Sequence, residues 1–189
     1  MKRLVIFDLD GTLMNTFSPE IGRPMWEKHY NKPFPHIGWW GRKESLDTEA
    51  FDIKPFPNVL SQLEREKNIP DTSVIILTSR MEKLRSEVEN VLNLNNIVVD
   101  DIILKKGRES KGDVILKIKK YNPELKEIIV YDDFMEKDAR KIAEYTNIND
   151  QLPDDVEYTL YFVDNDKISL LESNDVLLKM VHEEFGKLN

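Results

Sequence analysis

Arg3-Leu4-Val5-Ile6-Phe7-Asp8-Leu9-Asp10-Gly11-Thr12-Leu13 opens the chain with a short apolar run that stops abruptly at an aspartate. Such a run suits a buried parallel strand whose carboxyl end faces a site. Asp8 and Asp10 lie two residues apart where that strand ends, so both carboxylates can point at one place. Gly11 then lets the chain turn sharply.

Working outward, the same pattern recurs. Ser73-Val74-Ile75-Ile76-Leu77-Thr78 is a second apolar run, and Glu127-Ile128-Ile129-Val130-Tyr131 is a third that leads straight into Asp132 and Asp133. A fourth candidate strand spans Ile97 to Leu104. Between these runs the apolar period becomes helical, at Phe56, Val59, Leu60 and Leu63, and again at Leu84, Val88, Val91 and Leu92. Pro57 fits a first helical turn. Ser110 fits the N-cap of a helix that carries Val114, Ile115 and Ile118, with Asp113 near its positive end. Strands alternating with helices predict an α/β protein, a Rossmann-like doubly wound parallel sheet. Ligands of such sheets bind at the carboxyl ends of the strands, where the polar residues should converge.

Two segments break the rhythm. Residues 14–56 are rich in Pro, Gly and aromatics, including Trp26, Tyr30, Trp39 and Trp40, and have no clear period. They are expected to form a loop or small-cap insertion, because a connection of this length is usually functional and its aromatics argue against disorder. In residues 151–189, Val156, Tyr158, Leu160 and Phe162 alternate like a strand, and Val176, Leu177, Met180, Val181 and Phe185 follow at helical spacing. One added strand and a covering helix are expected there. The whole of 1–189 reads as one domain.

The 189 residues are 40% hydrophobic and 33% charged, as in globular proteins with a core of their own. With no cysteine, disulfides, thiolate metal sites and cysteine nucleophiles are excluded. The apolar run at the N-terminus is interrupted too early for a signal peptide, and no run approaches a membrane span, so a cytoplasmic protein with no membrane partner is expected. A net charge of −8 disfavours nonspecific binding to a polyanion. Lys105, Lys106, Arg108 and Lys111 nevertheless crowd one short stretch, where they can either meet a phosphate or stay solvated. His29, His36 and His182 lack metal-ligand spacing, and no Walker-type glycine loop occurs.

A carboxylate can attack phosphorus to form an aspartyl phosphate, while a second carboxyl protonates the leaving oxygen and then activates water. Two anions this close need a cation, and magnesium suits carboxylate ligands and a phosphate substrate. The apolar strand, Asp8-Leu9-Asp10 and Gly11-Thr12-Leu13 resemble the first motif of the haloacid dehalogenase-like hydrolase superfamily. That resemblance implies a magnesium-dependent phosphomonoesterase with Asp8 as nucleophile and Asp10 as acid and base. It further implies Thr78, in Leu77-Thr78-Ser79-Arg80, as the phosphate-binding hydroxyl of the second motif. Lys111 is the best match to the lysine of the third, with Lys105 or Lys106 as alternatives. Asp132 and Asp133 match the metal-binding fourth motif, and Asp138 is a weaker candidate. The implied magnesium ligands are Asp8, Asp132 or Asp133, and the Asp10 main-chain carbonyl. Thr12, Ser79 and Arg80 are assigned to substrate binding.

Gly38-Trp39-Trp40-Gly41-Arg42-Lys43-Glu44-Ser45-Leu46 is similar to a segment of the Swiss-army-knife RNA-repair-like branch of that superfamily. Trp39 and Trp40 then either pack the insertion onto the sheet or offer a platform for a base. That branch has Glu-Asp-Arg at its fourth motif, whereas this chain reads Asp132-Asp133-Phe134 and lacks the arginine that would contact substrate. The phosphorylated substrate is therefore open between a nucleotide or nucleic-acid end and a small metabolite or phosphoprotein. A noncatalytic binding or regulatory module on the same fold is the alternative from a different class.

Overall fold

The computed structural model describes residues 1–133, 145 and 147–171. Six strands form one sheet: β1 (Arg3–Phe7), β2 (Thr72–Met81), β3 (Asp101–Lys105), β4 (Glu127–Asp132), β5 (Glu157–Asp164) and β6 (Lys167–Leu170). Their order across the sheet is β3-β2-β1-β4-β5-β6, and every pair is parallel except β5 with β6. The α-helices whose bounds lie among the described residues are α1 (Pro19–Tyr30), α2 (Pro57–Lys67), α3 (Arg85–Leu94) and α4 (Lys111–Tyr121), with short 3-10 turns at Lys43–Leu46 and Glu82–Leu84.

β1 lies between β2 and β4, with Phe7 opposite Ile76 on one side and Tyr131 on the other. Alternation along these strands divides the core between two faces. Val5, Phe7, Ile76 and Tyr131 face one layer with Val59 and Leu63 of α2 and Val88 and Val91 of α3. Leu4, Ile6, Leu77 and Val130 face the other, with Ile115 of α4 and with Tyr145 and Ile148. Continuing the alternation by one step past Ile6 and Val130 brings Asp8 and Asp132 to the α4 side.

The insertion, expected as a loop or small cap, contains one helix. Pro19 starts α1, Asn31 closes it in the left-handed conformation at φ 50°, and a short 3-10 turn follows at Lys43–Leu46. Only Gly22 and Trp26 of α1 are buried, and Pro24 interrupts its interior, which is why no helical apolar stripe was legible there. The insertion does not stand off the sheet. Trp26, Trp39, Leu46, Phe51 and Ile53 join the same core as β1 and β2.

Two further boundaries shift. β3 begins at Asp101 rather than Ile97, because Ile97 to Asp100 form the approach to the strand and Asp100 is tied to Val74. The sheet also gains two strands past β4 instead of one, since Asn165 and Asp166, both at positive φ, turn the chain back into β6. The expected helix over Val176 to Phe185 lies outside the described residues, as do Phe134, Asp138 and His182.

Candidate active site

The loop after β1 is built to hold two aspartates still. Asp8 N–H donates to Tyr131 O at 2.9 Å, Leu13 N–H to Asp8 O at 3.2 Å and Met14 N–H to Leu9 O at 2.8 Å. Leu9, Leu13 and Met14 are fully buried beneath this turn. Gly11 adopts φ +72°, and a Cβ there would lie 2.3 Å from Asp133 Oδ2, so glycine is needed both for the turn and for the close approach of Asp133.

Asp8, Asp132 and Asp133 each offer an oxygen within 4.8 Å of the others. Lys111, the first residue of α4, places Nζ 2.6 Å from Asp8 Oδ1 and 2.5 Å from Asp132 Oδ2. α4 is fixed at this end by a reciprocal capping box between Ser110 and Asp113. Lys105 and Lys106, the alternatives for the third-motif lysine, are exposed and make no such pair. Burial alone would lower the Lys111 ammonium, but Asp132 and Asp8 outweigh it and hold the group charged above its usual range. Burial drives Asp8 the other way, up to about 8; Lys111 opposes the rise, and Asp132, Asp133 and Asp10 add to it.

When ionised, three carboxylates facing one ammonium leave two negative charges in excess, which a divalent cation would cancel. Asp132 Oδ1 is buried without a hydrogen-bond partner among the described residues, an uncommon state for a buried carboxylate oxygen. An all-oxygen set with a free buried acceptor fits a hard ion such as magnesium.

Asp10 stands apart from the trio. Arg80 grips its carboxylate as a fork, with Nε 2.9 Å from Oδ2 and Nη2 2.8 Å from Oδ1. Arg80 Nη1 also donates to Trp40 O at 3.0 Å and Ser45 Oγ at 2.6 Å. Arg80, assigned in the sequence to substrate binding, is buried with its guanidinium engaged by Asp10, Trp40 and Ser45. Ser45 carries no signal of its own in the sequence; its hydroxyl ties the insertion to this arginine.

The remaining expected residues divide. Thr78 is buried, with Oγ1 accepting from Arg80 N–H at 3.2 Å, and Ser79 beside it is exposed. Thr12, expected to touch substrate, is fully buried. Trp39 is 3% exposed and donates from Nε1 to Phe17 O, so it packs the insertion and cannot serve as an open platform. Trp40 is 43% exposed, with the Arg80 guanidinium 5.5 Å from its ring centre. Tyr145 had no sequence signal; its hydroxyl lies 2.5 Å from Asp132 Oδ2 and donates to it.

The fold is that of the haloacid dehalogenase-like hydrolases. The HAD domain of the effector Lem4 from Legionella pneumophila superposes with a TM-score of 0.56 at 17% identity, over 99% of this chain and 93% of that one. A protein described as a β-phosphoglucomutase from Thermotoga maritima also superposes at 0.56, with 18% identity over 99% of this chain and all of its own, 100%. A chain of the Pnkp1/Rnl/Hen1 RNA repair complex aligns at 0.47 and 19% identity, covering 86% of this chain and 42% of its own, too distant to bear on function. No family model matches the chain, and no curated protein matches it in sequence. No helix among the described residues is long and apolar enough to cross a membrane.

Proposed function

We propose that this protein is a magnesium-dependent phosphomonoesterase that forms an aspartyl phosphate on Asp8. The observation that carries the reading is Lys111, whose ammonium joins Asp8 and Asp132 inside a trio of carboxylates at the carboxyl edge of the sheet. A structural ion pair needs one anion, whereas this lysine faces a surplus of them around a buried oxygen with no partner among the described residues.

Asp8, Asp132 and Asp133, with the Asp10 main-chain carbonyl, would hold magnesium, which when bound neutralises charge on the carboxylates and on the transferring phosphoryl group. An Asp8 oxygen attacks phosphorus, and the bond from phosphorus to the ester oxygen breaks as Asp10 delivers a proton to that oxygen. Water then attacks the aspartyl phosphate, Asp10 takes its proton, and inorganic phosphate leaves as the Asp8 carboxylate is regenerated. The Arg80 fork holds the Asp10 carboxylate in one orientation for both proton transfers. Lys111 screens Asp8 from the incoming phosphate, and Thr78, late in the neighbouring strand β2, is the residue proposed to bind it.

A nucleotide or nucleic-acid end is the substrate proposed, with a base stacking on Trp40. The test is release of phosphate from p-nitrophenyl phosphate by the purified protein. Activity should appear with magnesium, vanish with chelator and be lost in Asp8→Asn. Full turnover after rigorous metal removal, or by Asp8→Asn, would refute the reading.

A further inference from the structure

We infer that the substrate carries a second phosphate, bound in a recess that runs from the proposed phosphate site beneath the loop between β3 and α4. The inference rests on the phosphatase reading of that site. The recess has a volume of about 240 Å³, and its lining joins Lys111 and Asp132 of the proposed site to Ser79, Lys105, Lys106 and Arg108.

The backbone makes this space deliberately. β2 and β3 pair regularly up to Thr78 with Leu104, but the next pair is Met81 with Lys105, so Ser79 and Arg80 have no counterpart on β3. A bulge of this kind breaks the pairing, re-aims side chains and is common beside active sites. Arg80 turns inward to Asp10, and Ser79 turns out to the recess. Gly107, at φ +66°, bends the loop that carries the cations over it.

The cations are uncommitted. Among the described residues, the side chains of Lys105, Lys106 and Arg108 close no ion pair, although Lys106 feels the charge of Glu82, which is itself held by Arg85. The nearby Glu109 pairs with Lys117 at 3.3 Å. A chain of net charge −8 thus gathers around one recess three cations that close no ion pair among the described residues, beside Lys111 and Asp132. Solvation accounts for exposed lysines in general, but not for their gathering here against the sign of the whole molecule. The recess is smaller than the roughly 300 to 1,000 Å³ of pockets that take a whole ligand. It suits one further group of the molecule whose first phosphate meets Asp8 rather than a separate effector. A dianionic phosphate is the group that matches three cations and a hydroxyl.

The experiment compares wild type with the Lys105→Ala, Lys106→Ala, Arg108→Ala triple variant on three esters. They are p-nitrophenyl phosphate, a hexose bisphosphate and a nucleoside 3′,5′-bisphosphate, all with magnesium. Binding of each bisphosphate to Asp8→Asn, with and without the triple replacement, is measured in parallel by calorimetry. The expected result is a fall of about tenfold to hundredfold in kcat/KM and in affinity for at least one bisphosphate, the scale of one or two charge-assisted contacts. Turnover of p-nitrophenyl phosphate should stay within about twofold, since one monoester lacks the group the recess takes. The bisphosphate more affected identifies the sugar or nucleoside source. Equal effects on all three esters, or none on either bisphosphate, would overturn the inference while leaving phosphatase activity standing. Failure of wild type to hydrolyse any ester would overturn both.

Discussion

Lys111 carries two ion pairs from the first turn of α4, whereas Lys105, Lys106 and Arg108 carry none among the described residues, so one side chain in a basic stretch is distinguished by position alone. The same holds for Arg80, whose forked contact with Asp10 depends on planar geometry as well as charge. Arg80→Ala should lower kcat on p-nitrophenyl phosphate by about tenfold to hundredfold, part of the general-base contribution, and change KM little. Arg80→Lys should recover only a fraction, and full recovery would show that charge suffices without the fork. A second buried network, remote from the chemistry, sets a pH dependence. Burial alone would raise Glu66, but bonds from Arg3, Tyr131 and Gln62 outweigh it and hold the carboxyl below its ordinary 4.5. Its contribution is then present above pH 4.5 and lost as pH falls through the lower folded value. Glu66→Gln should melt below wild type at neutral pH, and the gap should close in acid. A gap constant across thermal melts from neutral to acid would contradict this.

Among elements, β1, β2 and β4 were legible because each is a short apolar run ending in polar residues, a pattern that fixes both strand and site. α4 was legible from Ser110 and Asp113, and the capping box accounts for it. The insertion was not, since α1 buries only two residues and its stability comes from aromatic contacts distant in sequence. Trp39 illustrates this: its ring lies against Gly22, where an added Cβ would come within 2.1 Å. No periodicity encodes such a contact. Trp39→Ala should cost about 3 to 5 kcal/mol of stability, the range for truncating a buried aromatic. Trp40→Ala should barely move the melting temperature, and it should weaken an oligonucleotide phosphate by about 1 to 3 kcal/mol if a base stacks there. Equal loss on that substrate and on p-nitrophenyl phosphate would remove base stacking from the account. Tyr145 was also illegible, because a hydroxyl reaching back to Asp132 leaves no spacing signal.

At the scale of the molecule, parallel strands bring residues 8, 78, 111 and 132 to one edge of the sheet although they are far apart in sequence. Reading the strand ends together therefore anticipated that Asp8, Asp132 and Asp133 converge, while the arginine clamp and the tie to the insertion required the folded chain. Magnesium should support turnover and calcium should support it poorly, since calcium's larger, looser shell fits in-line transfer badly. Equal rates with both ions would argue against a tight octahedral site. The central claim is the covalent step on Asp8, and trapping tests it directly. A phosphomonoester labelled in its phosphate is mixed with protein and magnesium, quenched in acid during turnover, and the peptides are mapped. The account predicts a hydroxylamine-labile label on the peptide containing Asp8, absent from Asp8→Asn. Steady turnover with no label, or with label on another residue, would contradict it.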